Sequence, residues 1–502
     1  MSYALLASVF VIAACGLGYE LVAGALSSYL VGDSVTQFSI VIGVYLAAMG
    51  VGAWLSKWIS RGLAARFVDI ELAIALFGGF SATAMFFAFA HVGPGFRFVL
   101  YGVVLLIGVL VGLEIPLVMR ILRERLGFRE LVAQVLTFDY LGALVASLAF
   151  PLALAPMLGL IRASFLFGLM NAAVAAWALW LFRDHLGAMR WRAAQCAAVG
   201  IVLLAGFGFS ERLTTLAEEH LYADQIVYAH SSPYQRIVVT RWREDVRLYL
   251  NGNLQFSARD EYRYHEPLVH PALAGRPWIR RVLVLGGGDG LALREILRYS
   301  HVESVTLVDL DPDMTTLFRD TPFLARLNAD ALRSPKVRVV NADAFKFVEE
   351  SDDSYDLVIA DFPDPGNYSL GKLYTTAFYR LIERRLSARG LAVIQATSPL
   401  YARQSFWCIV ATIESVGLRA VPYHVHVPSF GEWGYVIASR EPYAPPERYE
   451  LEMRYLTSDI HPAMFVFPKD MARVPAEVNR LDNQILVQYF DAEWKRAPSF
   501  SN

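Results

Sequence analysis

Cysteine is scarce in this chain. Cys15, Cys196 and Cys408 are its three cysteines, and the first two lie in apolar stretches. No disulfide framework and no metal-ligand spacing emerges from them, so no metal site is expected and the redox compartment stays open. Charge is also scarce: charged residues make up 18% of the 502, against 55% hydrophobic. Both values depart from the soluble norm in the direction of a membrane protein. A formal net charge of −2 gives no bulk attraction for nucleic acid, so no such partner is expected. The N-terminus lacks the basic start and small-residue cleavage site of a removable signal peptide.

What the chain does have is unevenly placed. Residues 1–210 hold nearly all the long apolar runs, and residues 211–502 read as a soluble protein. A bilayer-crossing helix needs about 20 apolar residues. Seven stretches qualify, roughly 3–30, 38–56, 70–92, 97–119, 133–157, 161–182 and 194–210. A multi-pass helical domain and a lipid-bilayer partner are expected, in the cell membrane. Basic residues collect in alternate connections: Lys57, Arg61 and Arg66; then Arg120, Arg123, Arg125 and Arg129; then Arg183, Arg190 and Arg192. Basic loops stay cytoplasmic, which with seven crossings puts the soluble half outside. Within the apolar runs stand three acids, Glu20, Glu114 and Asp139. Intramembrane carboxylates are costly, so these are candidates for a cation site or polyamine path.

The soluble half opens with IVYAH, QRIVVTRW and VRLYL, alternating as strands do, and Asn251-Gly252 is a strong hairpin signal. A small antiparallel sheet is expected over 222–275. The pattern then changes to buried strands followed by helices: RRVLVLGGGDG (280–290), VESVTLVDLD (302–311), KVRVVNADAFKFV (336–348), YDLVIADFPDP (355–365) and GLAVIQATS (390–398). Alternating strands and helices predict a parallel, doubly wound, Rossmann-like sheet over 276–440. Ligands of such sheets bind beyond the carboxyl ends of the strands. Residues 441–502 form a C-terminal extension that begins with a proline-rich linker (Pro442, Pro445, Pro446) and continues as a polar segment ending in VNRLDNQILVQYF, expected to be helical, that could cover a site or pack on the apolar half.

Several residues carry chemistry. The turn Gly286-Gly287-Gly288-Asp289-Gly290 lets backbone approach a ligand closely. Asp309, about 20 residues on, can hold both hydroxyls of a ribose. Together they mark a nucleoside site without choosing among NAD, S-adenosylmethionine and their relatives. Asp343 and Ala344 follow the third strand, where an adenine edge commonly sits, although an acid there also suits a helix cap. Asp361 and Asp364, in ADFPDP, leave the fourth strand together. Such a pair can hold a cationic substrate, and one of them can take a proton from an amine.

As a set, these segments resemble the spermidine synthase (polyamine aminopropyltransferase) family, membrane-associated members included. The resemblance covers roughly 222–440. It rests on LVLGGGDGLALREIL with Glu295 on its helix, DEYRYHEPLVHPAL (260–273), SPYQRIVV (232–239), and ADFPDP followed by LYTTAFY (373–379). It implies aminopropyl transfer from decarboxylated S-adenosylmethionine, a co-substrate and not a prosthetic group, to a diamine such as putrescine. Gln235 would touch the donor nucleoside and Asp289 its aminopropyl amine. Asp309 would bind the ribose, and Asp343 the adenine. Asp361 would be the general base, with Asp364 helping to bind the polyamine. Tyr264 and His265 would line the acceptor groove. Soluble relatives pair, so a homodimer is implied.

The departures fall on the acceptor side. Phe430 in VPSFGEWGY stands where a tyrosine is usual, Thr397 and Ser398 stand where acids sometimes occur, and GNYSLGK (366–372) has no matching proline. Two alternatives remain at this level: a methyltransferase using S-adenosylmethionine, and a membrane transporter or sensor whose α/β domain only binds a polyamine. A cytosolic source for the donor opposes the side that the loop charges favour, so the side of the catalytic domain stays open.

Overall fold

The computed structural model describes residues 2–31, 34–92, 95–123, 127–184, 186–213, 222 and 224–494. Arg125 and the end of the C-terminal extension, 495–502, lie outside the described residues. The chain divides into two compact units, Met1–Ala223 and Asp224–Asn502.

The first unit is helical: α1 (Ser2–Val31), α2 (Ser34–Leu55), α3 (Leu63–Gly79), α4 (Ser81–Val92), α5 (Phe96–Leu122), α6 (Phe128–Ala149), α7 (Ala155–Leu181) and α8 (Met189–Gly208). Six continuous segments among the described residues are long and apolar enough to cross a membrane. One of them, Phe128–Leu181, runs through 54 residues, about 80 Å of helix at 1.5 Å per residue. It breaks at Gly159, whose φ of 73° and ψ of 170° are not helical. That break falls where the sequence separates 133–157 from 161–182.

Small residues let these helices touch. A Cβ on Gly52 of α2 would lie 2.1 Å from the Val109 carbonyl oxygen, and one on Gly112 of α5 2.1 Å from that of Met49. Gly142 of α6 meets Phe10 of α1 the same way, at 2.2 Å. Such close backbone approach lets the helices pack tightly through van der Waals contact. The three sequence-flagged acids do not meet as one contact. Glu114, 1% exposed, lies close enough to Glu71 of α3 for their charges to act on one another. Glu71 in turn accepts from Asn171 Nδ2 at 2.8 Å, and Asn171 Oδ1 accepts from Tyr19 at 3.1 Å.

The second unit holds two sheets. The smaller is an antiparallel meander in the order β1 (Gln225–Ser231), β2 (Arg236–Trp242), β3 (Asp245–Leu250), β4 (Asn253–Ser257). Asn251 and Gly252, both at positive φ, close its β3–β4 hairpin. Next comes α9 (Tyr262–Leu273), which buries Leu268, Val269 and Leu273 in one core with Ile237 and Val239 of β2 and Val282 and Val284 of the larger sheet.

The larger sheet comprises β5 (Arg281–Gly286), β6 (Ser304–Asp309), β7 (Val337–Asn341), β8 (Tyr355–Asp361), β9 (Leu386–Gln395), β10 (Arg419–Val427) and β11 (Gly431–Ser439). Its order is β10-β11-β9-β8-β5-β6-β7. β5 to β9 pair in parallel, as the sequence predicts, but β11 pairs antiparallel with both β9 and β10. The sheet is therefore mixed, and VPSFGEWGY is a hairpin tip with its second strand. The third predicted strand is also shorter than expected. β7 stops at Asn341, because Asp343 caps helix α11 (Ala344–Glu350) by accepting from Phe345 N at 2.8 Å and Lys346 N at 3.4 Å. Helix α10 (Leu291–Leu297) follows β5.

The extension packs on this same unit. Glu266 of α9 accepts from the backbone N–H groups of Arg454, Tyr455 and Leu456 at 2.8–2.9 Å. The last described helix, α13 (Ile485–Trp494), reaches α12 (Arg403–Ser415), where Glu493 accepts from Gln404 N and Ser405 N at 2.6 and 3.0 Å. Small sheet, Rossmann-like sheet and extension thus form one compact unit.

Candidate active site

Strand order reverses at β5, which has β6 on one side and β8 on the other, and a cleft opens at such a switch point. Gly286 ends β5 in register with Asp361, which ends β8. Gly286 has φ 81°, and a Cβ there would fall 2.1 Å from the Asp361 carbonyl oxygen. Only glycine fits both the conformation and the space. Gly288 donates its N–H to Asp309 Oδ2 at 3.0 Å, and a Cβ on it would sit 2.6 Å from that oxygen. The turn therefore wraps directly onto the acid ending β6.

Asp309 Oδ1 accepts from Asp311 N at 2.9 Å. Asp311 is held by Ser232 Oγ at 2.7 Å and by Gln235 Nε2 at 2.9 Å. Gln235 thus reaches Asp309 through Asp311, a link that sequence reasoning missed along with Ser232. Asp289, 8% exposed, accepts from Leu291 N at 2.8 Å at the start of α10. It lies close enough to Asp361, Asp309 and His265 for their charges to act on one another. The three acids central to the sequence reading therefore share one site.

Asp361 Oδ1 accepts from the Tyr264 hydroxyl at 2.5 Å. His265, next on α9 and 2% exposed, holds Glu261 Oε2 at 3.0 Å through Nδ1, and Arg294 Nη2 reaches the same oxygen at 2.9 Å. Tyr264 stands among Phe430, Trp433 and Tyr435, with ring centroids 6.3, 6.4 and 5.6 Å away. Aromatic faces beside carboxylates favour an alkylammonium chain. Phe430, expected on the acceptor side, lies edge-on to Tyr264. Trp433, from the same quoted segment, supplies a ring that sequence reasoning left out.

Asp364 Oδ1 accepts from Gln395 Nε2 at 2.9 Å, and Gln395 Oε1 accepts from Tyr374 at 3.0 Å. Asp343, besides capping α11, pairs with Lys372 at 2.6 Å, so its carboxylate is bonded on both oxygens. Ala344 opens α11 and is buried. Glu295, part of the glycine-rich segment, faces away from this chemistry. It pairs with His270 at 3.0 Å, Arg298 at 2.6 Å and Arg294 at 2.9 Å.

Burial pushes the carboxyls of Asp289, Asp309 and Asp364 up to about 6. It also raises Asp361, against the opposing pull of His265 and the Tyr264 hydrogen bond. Asp343 goes the other way, because Lys372 outweighs its burial. Burial disfavours the His265 imidazolium, but Glu261, Asp289 and Asp361 outweigh that and raise it. Four acids sheltered from water and short of cations are stabilised when a positively charged ligand enters.

A glycine turn onto a buried acid, beside a carboxylate cluster with an aromatic wall, suits an α/β transferase for cationic substrates. Residues 261–449 match the family model described as the spermine/spermidine synthase domain. Polyamine aminopropyltransferase 2 of Ralstonia nicotianae is 57% identical over 501 residues, covering 98% of this chain and 98% of that protein. The polyamine aminopropyltransferase of Leptospira interrogans is 51% identical, covering 99% of each, and that of Mycobacterium tuberculosis is 40% identical, covering 98% and 96%. A spermidine synthase crystallised with the transition-state analogue AdoDATO is 26% identical, covering 49% of this chain and 88% of that one with a TM-score of 0.46. The chain belongs to the spermine/spermidine synthase family.

Proposed function

We propose that the protein is a membrane-embedded enzyme that joins the aminopropyl group of decarboxylated S-adenosylmethionine to putrescine, giving spermidine and methylthioadenosine. Aminopropyl transfer to a polyamine is the activity of its family, which favours it over methyl transfer and over binding without catalysis. The carrying observation is the gathering of Asp289, Asp309 and Asp361 around the Gly286–Gly288 turn.

In this reading Asp309 holds the ribose hydroxyls. Gln235 and Asp343 lie toward the nucleoside, and Asp289 faces the donor's amine. The donor carries a sulfonium and an ammonium but no carboxylate. An acid cluster attracts it and repels the carboxylate of ordinary S-adenosylmethionine. The incoming amine arrives protonated, with a reference pKa of about 10.4 for a lysine-like group. Asp361 takes that proton, and its oxygen partner Tyr264 keeps the carboxylate oriented. The freed nitrogen lone pair attacks the carbon bonded to sulfur. As the C–N bond forms, the C–S bond breaks and its electron pair stays on sulfur, leaving neutral methylthioadenosine. Asp364 and the ring of Phe430, Trp433 and Tyr264 hold the remainder of the diamine. In-line positioning supplies much of the rate gain.

The bilayer part of the reading rests on the outer faces of the helical unit. Leu148, Leu152 and Met157 are 54, 78 and 79% exposed, more apolar surface than water tolerates on contiguous turns. Lys57 lies 4.1 and 4.4 Å over the rings of Trp54 and Trp58, the pairing of cation and indole that marks a headgroup boundary. The family resemblance supports a homodimer, testable by mass measurement in detergent. A reporter fused after Asn502 assigns the side of the catalytic unit.

The direct test incubates the detergent-purified chain with putrescine and each donor. Release of methylthioadenosine and spermidine from the decarboxylated donor is expected. A methylated product from S-adenosylmethionine, or no methylthioadenosine from any diamine, overturns the reading.

A further inference from the structure

Asp364 is steadied from a distance. Gln395 Nε2 donates to it, and the one proton of the Tyr374 hydroxyl is shared between Gln395 Oε1 at 3.0 Å and the Pro363 carbonyl at 3.2 Å. Tyr374 itself is fully buried. Its backbone belongs to a short segment, 371–374, that also carries Lys372, the partner of Asp343. One stretch of four residues thus reaches both an acid assigned to the donor and an acid assigned to the acceptor.

That stretch is gripped by Asn479, which lies in the C-terminal extension beyond the residues matched by the family model. Asn479 is 0% exposed. Its Nδ2 donates to the carbonyls of Gly371 at 3.2 Å and Tyr374 at 3.1 Å. Its own N–H donates to Thr412 Oγ1 at 2.9 Å, its carbonyl accepts from Thr376 N at 3.0 Å, and its Oδ1 accepts from Leu486 N at 3.3 Å. All its polar groups are therefore bonded, tying 371–376 to α12 and α13. Gly371 leaves no space for a side chain: a Cβ on it would lie 2.5 Å from Val487 and 2.6 Å from Gln484. A fully buried amide with every donor and acceptor satisfied rigidifies what it joins.

We propose that Asn479 is a positioning residue for the transfer reaction. It acts through the Gly371 and Tyr374 carbonyls to fix Asp364, and so the extension belongs to the acceptor site. This rests on the reading of Asp364 as an acceptor ligand.

The test is a double-mutant cycle in the full chain, with Asn479→Ala and Tyr374→Phe assayed singly and together. Donor affinity and melting temperature are followed in parallel. Asn479→Ala is expected to lower kcat/KM for putrescine by roughly 10–100-fold, the scale of a misplacement near 1 Å, with the change concentrated in the KM for the diamine. Because both residues act on one chain of bonds, the double variant should be scarcely worse than Asn479→Ala alone. Effects that multiply, or a lowered melting temperature with unchanged diamine kinetics, overturn the proposal. If Asn479→Ala does not fold, Gly371→Ala pushes the gripped segment against Val487 and Gln484 while the Asn479 side chain is kept. It should raise the KM for the diamine as well, and an unaltered KM refutes the proposal. A wild-type protein that transfers nothing to putrescine refutes the acceptor reading itself, a different failure from a wild-type rate in Asn479→Ala.

Discussion

Tyr264→Phe isolates one bond of the site. The hydroxyl lies 2.5 Å from Asp361 Oδ1 and helps hold that carboxyl down against burial, which pushes it up. A hydrogen bond to a charged acceptor contributes about 1.5–3 kcal/mol, and one pKa unit corresponds to about 1.4 kcal/mol. Losing the hydroxyl should therefore raise the Asp361 pKa by about 1–2 units. The ring remains among Phe430, Trp433 and Tyr435, so packing changes little. Transfer needs ionised Asp361, and the acid limb of the pH–rate profile should move up by the same 1–2 units. The assay is methylthioadenosine release under saturating donor and putrescine from pH 5 to 9.5. The variant should lose about 10–100-fold on the acid side, and the two curves should converge at the alkaline end. A uniform drop at all pH values, with the limb unmoved, would mean that Tyr264 does not tune the base.

Three further outcomes are expected. Asp361→Asn should cut kcat by about 10²–10⁴-fold, the usual range for losing a general base, while donor affinity measured by calorimetry stays within a few-fold. Gly288→Ala, whose Cβ would stand 2.6 Å from Asp309 Oδ2, should weaken donor binding by at least about tenfold, equivalent to 1.4 kcal/mol; wild-type affinity would show that the turn can shift. For stability, Asp289 is pushed up to about 6 in the folded chain, above an unfolded value of about 3.9. The folded state then holds more protons between those values. The contribution of Asp289 to stability without ligand should fall by about 2–3 kcal/mol as pH rises from 4 to 7, read as a melting temperature that falls more steeply in the wild type than in Asp289→Asn, and the cationic donor should reverse the trend.

Much of the catalytic unit is legible in its sequence because β5, β8 and the latter half of β9 are buried on both faces and read as unbroken apolar runs. β5, β6 and β8 end where Gly286, Asp309 and Asp361 stand, so the acids expected to converge do. β10 and β11 escaped because their segments carry Pro422, His424, His426 and a glycine-flanked tip, features of a loop. α11 was hidden inside an apparently continuous strand because Asp343, as its cap, ends β7 by local hydrogen bonds that hydropathy does not register. The extension has no period to read. Its order comes from single polar anchors such as Glu493 and Asn479, whose partners lie about 90 and 105 residues away. Glu71, which lies near Glu114 and accepts from Asn171, sat unnoticed at the edge of an apolar run, since one sequence cannot reveal which helices face each other.

The pairing of Gly286 with Asp361 across β5 and β8 has a consequence for how the enzyme can change. The separation between where a nucleoside would lie and where an amine would be deprotonated is set by neighbouring rungs of a hydrogen-bonded ladder. A one-residue slip would turn every buried side chain of the strand outward, so this distance is not adjustable in small steps. Preference for longer or shorter amines must be tuned farther out, at the β10–β11 tip and along the segments the extension grips, while the reacting atoms keep a fixed gauge.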